Sequence, residues 1–500
     1  MPISLGDLDN HLFKCADIIR DAVDPTDYKE FILPLVYYKA ISDEYEKQYQ
    51  RNIEKYEDEE IARRPNLYDV PVVPEGYSWE DLRAVSDNVD QALNEAFDAV
   101  ADANPELQGV FRADYIDADA LDDDRLGRLI EHLSTHDLDR DSVPPDMLGE
   151  AYMDLVRQFA EEEGKSGGQF FTPPHIVNLC VRLVDSFEDG QTFHDPTVGS
   201  GGMLIEAARY YREAGGDPSK LKFTGQEINP DIAAIAKMNL SIHGLNGEIE
   251  REDSLSKPAF TDEDANELTR FDRVLANFPF SADWDKDGLQ DDPYERFDWH
   301  EKLPRADRGD YAFIMHMAKQ LKQPERDGVG GKAAIVIPHG VLFRKHEGRY
   351  RKPMLENDIV EAIVGLPGNL FQNNSIPSAV LVLNTDKPED RTEEVQFIHA
   401  ADETFYQELS NQNELTEEGL DHIIENFRDW ETKERVSRTV SLEEIRENDY
   451  NLNVALYVDT TEPEEDIDVA EELAKLRKLQ TKRDEIESAM SQQMEALNYE

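Results

Sequence analysis

The 500-residue chain carries 108 acidic and 52 basic residues, a formal net charge of −56, and 39% of it is hydrophobic; that length exceeds what one core usually organises, so two or three domains are expected. No apolar run approaches the ~18 residues of a membrane span, and the start MPISLGDLDNHLFKCADIIR lacks a basic region followed by an apolar stretch, which argues against secretion and for a cytoplasmic protein. The acids are spread along the whole chain rather than gathered in a tail that mimics nucleic acid, and at ~1 M salt, where the Debye length is about 3 Å, such a surface is screened, so the charge suits a salt-rich cytoplasm.

The first ~160 residues read as helical, with Leu8, Leu12, Cys15 and Ile19 at helical spacing. DPTDYKEFILPLVYYKAI starts a second helix, with Asp24 at the N-cap and Pro25 in the first turn; Pro34 predicts a kink or a break. Cys15 and Cys180 are too few for a disulfide framework or a zinc cluster, and read as small apolar core residues. From about residue 165, short β-rich runs (QTFHD, KFTGQEI, FDRVLAN, GKAAIVIP, SAVLVLN) alternate with helical patterns such as GGMLIEAARYYREA and PDIAAIAKMNLSIHG. That alternation predicts an α/β fold, a parallel sheet covered on both faces, with ligands bound beyond the carboxyl ends of its strands. Beyond ~400 the chain turns polar and helical again. Leu476, Leu479, Ile486, Met490, Met494 and Leu497 lie near a heptad seam that Arg483 interrupts, so a short coiled coil or docking helix is expected.

The chemistry-bearing residues follow the β-runs. In HDPTVGSGGMLIEA, Asp195 leads Gly199, Ser200, Gly201 and Gly202 into a helix. Glycines permit positive φ and close approach of a ligand, but the spacing is neither a Walker A loop nor G-x-G-x-x-G. Glu227 ends the second strand 25 residues after Gly202. There it can accept hydrogen bonds from both ribose hydroxyls of a nucleoside; taken alone it is equally an ordinary helix-start acid. Asp253, in EREDSL, falls where the next strand ends, suited to an exocyclic amine of an adenine. VLANFPFS then sets Asn277 before Phe278, Pro279 and Phe280. An Asn side-chain carbonyl and a neighbouring backbone carbonyl can accept both hydrogens of an amino group. Pro279 holds the residue before it extended, and an aromatic can stack on a base for about 1–3 kcal/mol. Together these make a seat for a flipped nucleobase. A basic island, Arg344, Lys345, His346, Arg349, Arg351 and Lys352, reads either as a solvated helix end or as a phosphate contact beside the cleft. No helix-turn-helix or zinc finger is visible.

Taken together, these segments resemble the amino-methylating, S-adenosylmethionine-dependent DNA methyltransferases, whose signature is Asn/Asp-Pro-Pro-aromatic. In particular they are similar to the modification subunits of type I restriction–modification systems. The likeness covers nearly the whole chain: ADIIRDAVDPTDYKEFILPLVYYKAISD, GQFFTP, DPTVGSGG, GQEINP, ANFPF, RGDYAFIMH, AIVIPHGVLFR and LPGNLFQNNSIPSAVLVL. It implies a Rossmann-like methyltransferase domain over 161–405, after an N-terminal helical domain (1–160) and before a C-terminal helical region for partner contact (406–500). It also implies that Gln169, Phe170, Phe171, Thr172, Pro173 and Pro174 form part of the S-adenosylmethionine pocket. Asp195, Gly199, Ser200, Gly201 and Gly202 would surround its methionine portion, Glu227 would hold its ribose and Asp253 its adenine. Asn277, Phe278, Pro279 and Phe280 would form the catalytic loop, and no metal is implied.

The implied partners are double-stranded DNA, a specificity subunit holding two modification subunits, and a restriction subunit in the complete system. The implied reaction is methylation of the N6 amino group of adenine, an in-line displacement that depends on alignment and polarisation rather than on a general base of unusual pKa. Phe278 departs from the signature, standing where its first proline would be; the backbone carbonyl survives that exchange, so Phe278→Pro is expected to be tolerated. Two other readings stay open: a methyltransferase acting on an RNA base or a protein glutamine, and a scaffold that keeps the fold without catalysis.

Overall fold

In the computed structural model, which describes residues 3–116, 121–162, 171–262, 266–371, 377–409, 412–460 and 469–496, the five predicted β-rich runs fall on strands of one nine-stranded sheet. Its strands are β1 (Thr192–Asp195), β2 (Lys222–Gln226), β3 (Gly247–Glu250), β4 (Arg273–Asn277), β5 (Lys332–Pro338), β6 (Val360–Gly365), β7 (Ser378–Asn384), β8 (Glu394–His399) and β9 (Ser437–Ser441). Across the sheet the order is β9-β8-β6-β7-β5-β4-β1-β2-β3. The pairs β2/β3, β1/β2, β1/β4 and β4/β5 are parallel, and β7 runs antiparallel between β5 and β6. The chain therefore leaves β1 toward β2 and β3 on one side and returns to β4 on the other. A crevice opens beyond the carboxyl ends of the strands at such a switch point.

The central strands read as unbroken apolar runs because helices cover both of their faces. Every residue of β6 and β7 is buried. On one face lie Leu204 and Ala208 of helix Gly202–Glu213 with Ile176 and Cys180 of helix Pro174–Leu183; on the other lie Ile314 and Met317 of helix Asp310–Lys319. Cys15 and Cys180 are buried free thiols. Among the described residues no helix is long and apolar enough to cross a membrane.

The N-terminal region is helical as predicted, and Leu8, Leu12, Cys15 and Ile19 are all buried in helix Leu5–Ile19. Two details differ from expectation. Pro25–Asp27 forms a single 3₁₀ turn, so the second helix starts at Tyr28. That helix then runs unbroken through Pro34 to Tyr56: Pro34 lies near its start, and the packing of Ile32, Leu33, Leu35 and Val36 in the core outweighs one lost ladder bond. The same core takes in Ile232, Ile235 and Met238 of helix Pro230–Ile242, and Tyr37 Oη donates to Ser241 Oγ at 2.9 Å. Residues Met1–Val458 form one compact unit.

After residue 400, where helix was expected, strands also occur. Tyr406–Glu408 pairs with Asn413–Leu415, and β9 adds an antiparallel edge to β8. The β9 sequence, SRTVS, buries only Ser437 and Val440; an edge strand needs so little apolar surface that a search for apolar runs passes over it. Residues Asp459–Glu500 form a second unit, built on helix Val469–Ala496. In it Leu476, Leu479, Ile486, Met490 and Met494 are exposed, while Leu497 lies outside the described residues.

Gly225, inside β2, supports the turn after β1 by having no side chain. A Cβ there would stand 2.8 Å from both Ile249 Cδ1 and Val198 Cγ2, and overpacking of this kind costs about 1–3 kcal/mol. Gly225→Ala is expected to destabilise the fold by that amount, read as a lower denaturation midpoint, and an unchanged midpoint would contradict the packing described.

Candidate active site

Four strand ends converge on the crevice. After β1, the Asp195 carboxylate accepts the Thr197 N–H at 2.9 Å, and the chain turns through Gly199 (φ 52°) and Gly201 (φ 89°) into its helix. Both glycines occupy the left-handed region that side chains disfavour. After β2, Glu227 fastens that turn: Gly199 N–H donates to its Oε2 at 3.2 Å and Asn229 N–H to its Oε1 at 2.9 Å. Beyond β3, Asp253 accepts Leu255 N–H (2.9 Å) and Ser256 Oγ–H (2.8 Å), and Ser254 Oγ donates to the Pro196 carbonyl. At the end of β4, Asn277 Nδ2 donates to Thr172 Oγ1 at 3.0 Å, which joins the upstream FTPP segment to the NFPF loop.

These ends enclose a cavity of about 470 Å³, within the usual range for small-molecule sites. Of the predicted residues, Phe171, Thr172, Asp195, Gly199, Ser200, Gly202, Glu227, Asp253, Asn277 and Pro279 line it. Five others do not. Pro173 and Pro174 start helix Pro174–Leu183, and Gly201 only shapes the turn. The Phe278 ring is 1% exposed and stacks on Phe313 at 5.2 Å; Phe280, half-buried, meets Phe278 and Phe371 edge-on at 6.0 and 6.1 Å. Gln169 and Phe170 lie outside the described residues. The expected tolerance of Phe278→Pro does not hold on this geometry, because losing a buried Phe ring typically costs about 3–5 kcal/mol.

The lining is one-signed. Asp195, Glu227, Glu252, Asp253, Asp283 and Asp285 contribute six carboxyl groups, and no Lys, Arg or His appears among the described lining residues. Burial pushes Asp195 up to about 7; the Thr197 N–H opposes the shift and the Glu227 charge adds to it. Burial likewise raises Glu227, against the backbone N–H groups of Asn229, Gly199 and Ile228. Acids held in this way suit a ligand that brings its own positive charge and hydroxyl donors, and they disfavour phosphates. S-adenosylmethionine, with a sulfonium, an ammonium and two ribose hydroxyls, fits that donor set.

Among the lining residues missed in the sequence are Glu252, Asp283, Trp284, Asp285 and Phe313. The signal was present in part, since a tryptophan between two acids directly follows NFPFSA and Phe313 lies in RGDYAFIMH. Trp284 is anchored by its Nε1–H to the Arg305 carbonyl and by its backbone N–H to the Ala306 carbonyl, both at 2.8 Å. The loop's next residue, Ser281 (φ 51°), donates its N–H to the fully buried Asp310 at 2.6 Å. Arg344 grips the other oxygen of Asp310 at 2.8 Å. Two residues of the basic island are thus structural: Arg344, and Arg351, which is 2% exposed and donates to the Tyr450 and Val341 carbonyls.

Residues 143–466 match the N-6 DNA Methylase family, and residues 8–133 match the HsdM N-terminal domain. The chain is similar to the type I restriction enzyme MjaVII methylase subunit of Methanocaldococcus jannaschii, with 34% identity over 493 residues that cover 94% of this chain and 81% of the relative. It is also similar to the HindI methylase subunit of Haemophilus influenzae, 29% identical over 466 residues, 86% of this chain and 100% of the relative. The crystal structure of a type I restriction-modification system methyltransferase subunit from Streptococcus thermophilus superposes with a TM-score of 0.78 at 30% identity, over 91% of this chain and 100% of that one.

The raised carboxyls give the cavity a pH signature. Asp195 is ionised above about 7 and neutral below, so affinity for a cationic ligand should weaken on acidification through that value, by up to about tenfold per pH unit for one linked group. Calorimetric titration with S-adenosylmethionine at pH 8 and pH 6 checks it: Asp195→Asn should flatten the dependence, and affinity that rises on acidification would contradict the electrostatics.

Proposed function

The chain belongs to the N-6 DNA methylase family as a type I restriction enzyme methylase subunit, an S-adenosylmethionine-dependent methyltransferase acting on the N6 amino group of adenine in DNA, and from that premise we propose how its residues divide the work. The observation that carries this division is the acid-lined cavity with a polarised amide, Asn277, at its wall. Asp195, Gly199, Ser200 and Gly202, on the turn that Gly201 shapes, take the methionine portion of the cofactor, Glu227 its ribose hydroxyls and Asp253 its adenine amine. The segment from Gln169 to Pro174 flanks it. Bound S-adenosylmethionine supplies an electrophilic methyl group.

Asn277 works on the acceptor. An amide whose nitrogen already donates to Thr172 presents its oxygen elsewhere, and that orientation supports Asn277 Oδ1 as one acceptor for the N6 hydrogens of an extruded adenine. The Phe278 backbone carbonyl is the other, and Phe280 offers a ring for the base to stack on. Both hydrogen bonds draw nitrogen toward nucleophilic character, and both depend on the loop holding its shape. Pro279 restricts that loop from within, and the burial of Phe278 against Phe313 supports it from below.

Membership of a type I restriction–modification system implies a DNA substrate and assembly with other subunits. We assign the partners as a specificity subunit, a second copy of this chain and, in the complete system, a restriction subunit. The exposed apolar side chains of helix Val469–Ala496 support region 406–500 as the part that meets them, with 1–160 as a helical domain and 161–405 as the catalytic one. The net charge of −56 supports a salt-rich cytoplasm as its setting.

Labelled S-adenosylmethionine tests the assignment. With its partner subunits the protein should label adenine in DNA, and Asn277→Ala should abolish transfer while leaving cofactor affinity near wild type. Equal loss of both would contradict the division between donor and acceptor residues, and label arriving in RNA or protein instead would contradict the substrate.

A further inference from the structure

The acid-lined cavity raises a problem that the reaction itself does not solve: a DNA backbone must come to its mouth, and this chain has two acids for every base. Across residues 302–308 and 343–352 the ratio reverses, with eight Lys and Arg against two acids in seventeen residues. We propose that these two segments form a phosphodiester-binding rim, which grips the DNA backbone beside the extruded adenine and holds it out of the cavity. The proposal rests on the DNA methyltransferase reading above.

Three observations carry it. The first is position. The Arg305 and Ala306 carbonyls anchor Trp284, which lines the cavity, and Gly309 N–H donates to the Ala282 carbonyl at 2.8 Å, so the 302–308 segment is fastened to the cavity wall. The other segment reaches the catalytic loop through Arg344, Asp310 and Ser281. Tyr350 Oη donates to the Lys302 carbonyl at 2.8 Å, which ties the two segments together.

The second is that the charges are available. Once Arg344 and Arg351 are set aside as structural, Lys345, Arg349 and Arg308 form no ion pair among the described residues, and Arg308 Nε is buried without a hydrogen-bond partner. Arg305, whose side chain is 60% exposed, pairs among the described residues only with Asp307, two positions along the chain. Cations left without a carboxylate partner in so acidic a chain are matched to an anion from outside.

The third is that they converge. His346 is held below its ordinary value by partial burial and then by the charges of Arg308, Arg305, Arg349 and Arg344, so cations of both segments act on one imidazole, whose carboxylate neighbour Glu347 at 3.6 Å is shared with Arg344. Guanidinium forks suit phosphate oxygens. The field then sorts the substrate: phosphates are held at the basic rim and repelled by the six carboxyls, while the neutral base can pass. An acidic face of a partner subunit would satisfy the charges as well, but it would not need to adjoin the cavity wall and the catalytic loop.

The test uses the complex of this chain with its partner subunits, unmethylated genomic DNA and labelled S-adenosylmethionine, at KCl concentrations where the fold is intact. Lys345→Glu with Arg349→Glu is expected to raise KM for DNA by about tenfold or more and to make the dependence of log KM on log[KCl] shallower by about 0.9 for each phosphate no longer neutralised. Cofactor affinity should not move. Lys345→Arg with Arg349→Lys should restore KM, and Arg128→Glu, on the exposed face of helix Asp123–Leu133, should change neither parameter. Unaltered KM and slope in the double Glu variant would overturn the rim. So would weakened assembly with partner subunits at unchanged KM, which would give the surface to a protein partner. A wild-type complex that transfers no methyl to DNA would overturn the rim together with the reading beneath it.

Discussion

The site depends on a buried carboxyl group, Asp195, and a half-buried one, Glu227, with no Lys, Arg or His beside them among the described lining residues. Glu227 reaches from the end of β2 to the Gly199 N–H, and Asp195 closes the same turn from the end of β1. Each is paired with backbone N–H groups rather than with Lys or Arg, so its charged form is disfavoured in a poorly solvated place and its carboxyl is held above the ordinary range. That arrangement is costly for the empty protein and is relieved by a ligand that brings positive charge. The glycine turn, the missing side chain at Gly225 and the sheet order that opens the crevice between β1 and β4 all serve to hold those two groups where they are.

On this account the electrostatics separate the two substrates. A cationic donor is drawn to a wall of carboxyls, whereas a polyanionic acceptor is held at its edge and contributes only a neutral base. Asn277 stands at the boundary, its amide nitrogen fixed by Thr172 from one segment and its loop held by Asp310 from another. The same geometry gives Phe278 a use that a proline in its place would not have, since its ring is a core residue whose stacking on Phe313 braces the loop from underneath.

Much of this was legible because the determinants are local. Asp195, the glycines, Glu227, Asp253 and Asn277 each stand at or just beyond the end of a strand, and in a parallel sheet those ends share one edge; spacing along the chain therefore becomes proximity in space. What could not be read depends on direction or on distant pairing. Nothing in NFPFS says whether Phe278 points into the cavity or into the core. The link from Ser281 through Asp310 to Arg344 spans more than sixty residues, and Arg344 and Arg351 read as free surface charge when their buried partners are not known. β9 was overlooked because SRTVS buries so little, and of the kink or break expected at Pro34 the break does not occur, because tertiary packing outweighed a local preference.

The central claim is that one cavity holds a cation over glycine-lined strand ends while the Asn277 amide addresses an adenine at its mouth. The most direct measurement is a structure of the assembled complex with DNA and a non-reactive, positively charged analogue of S-adenosylmethionine. The expected result has the analogue's charged methionine portion beside Asp195 and its ribose hydroxyls on Glu227, with the N6 of an extruded adenine within hydrogen-bonding distance of both Asn277 Oδ1 and the Phe278 carbonyl. An analogue bound away from these carboxyls, or a target adenine still stacked in the duplex with Asn277 facing protein, would contradict it.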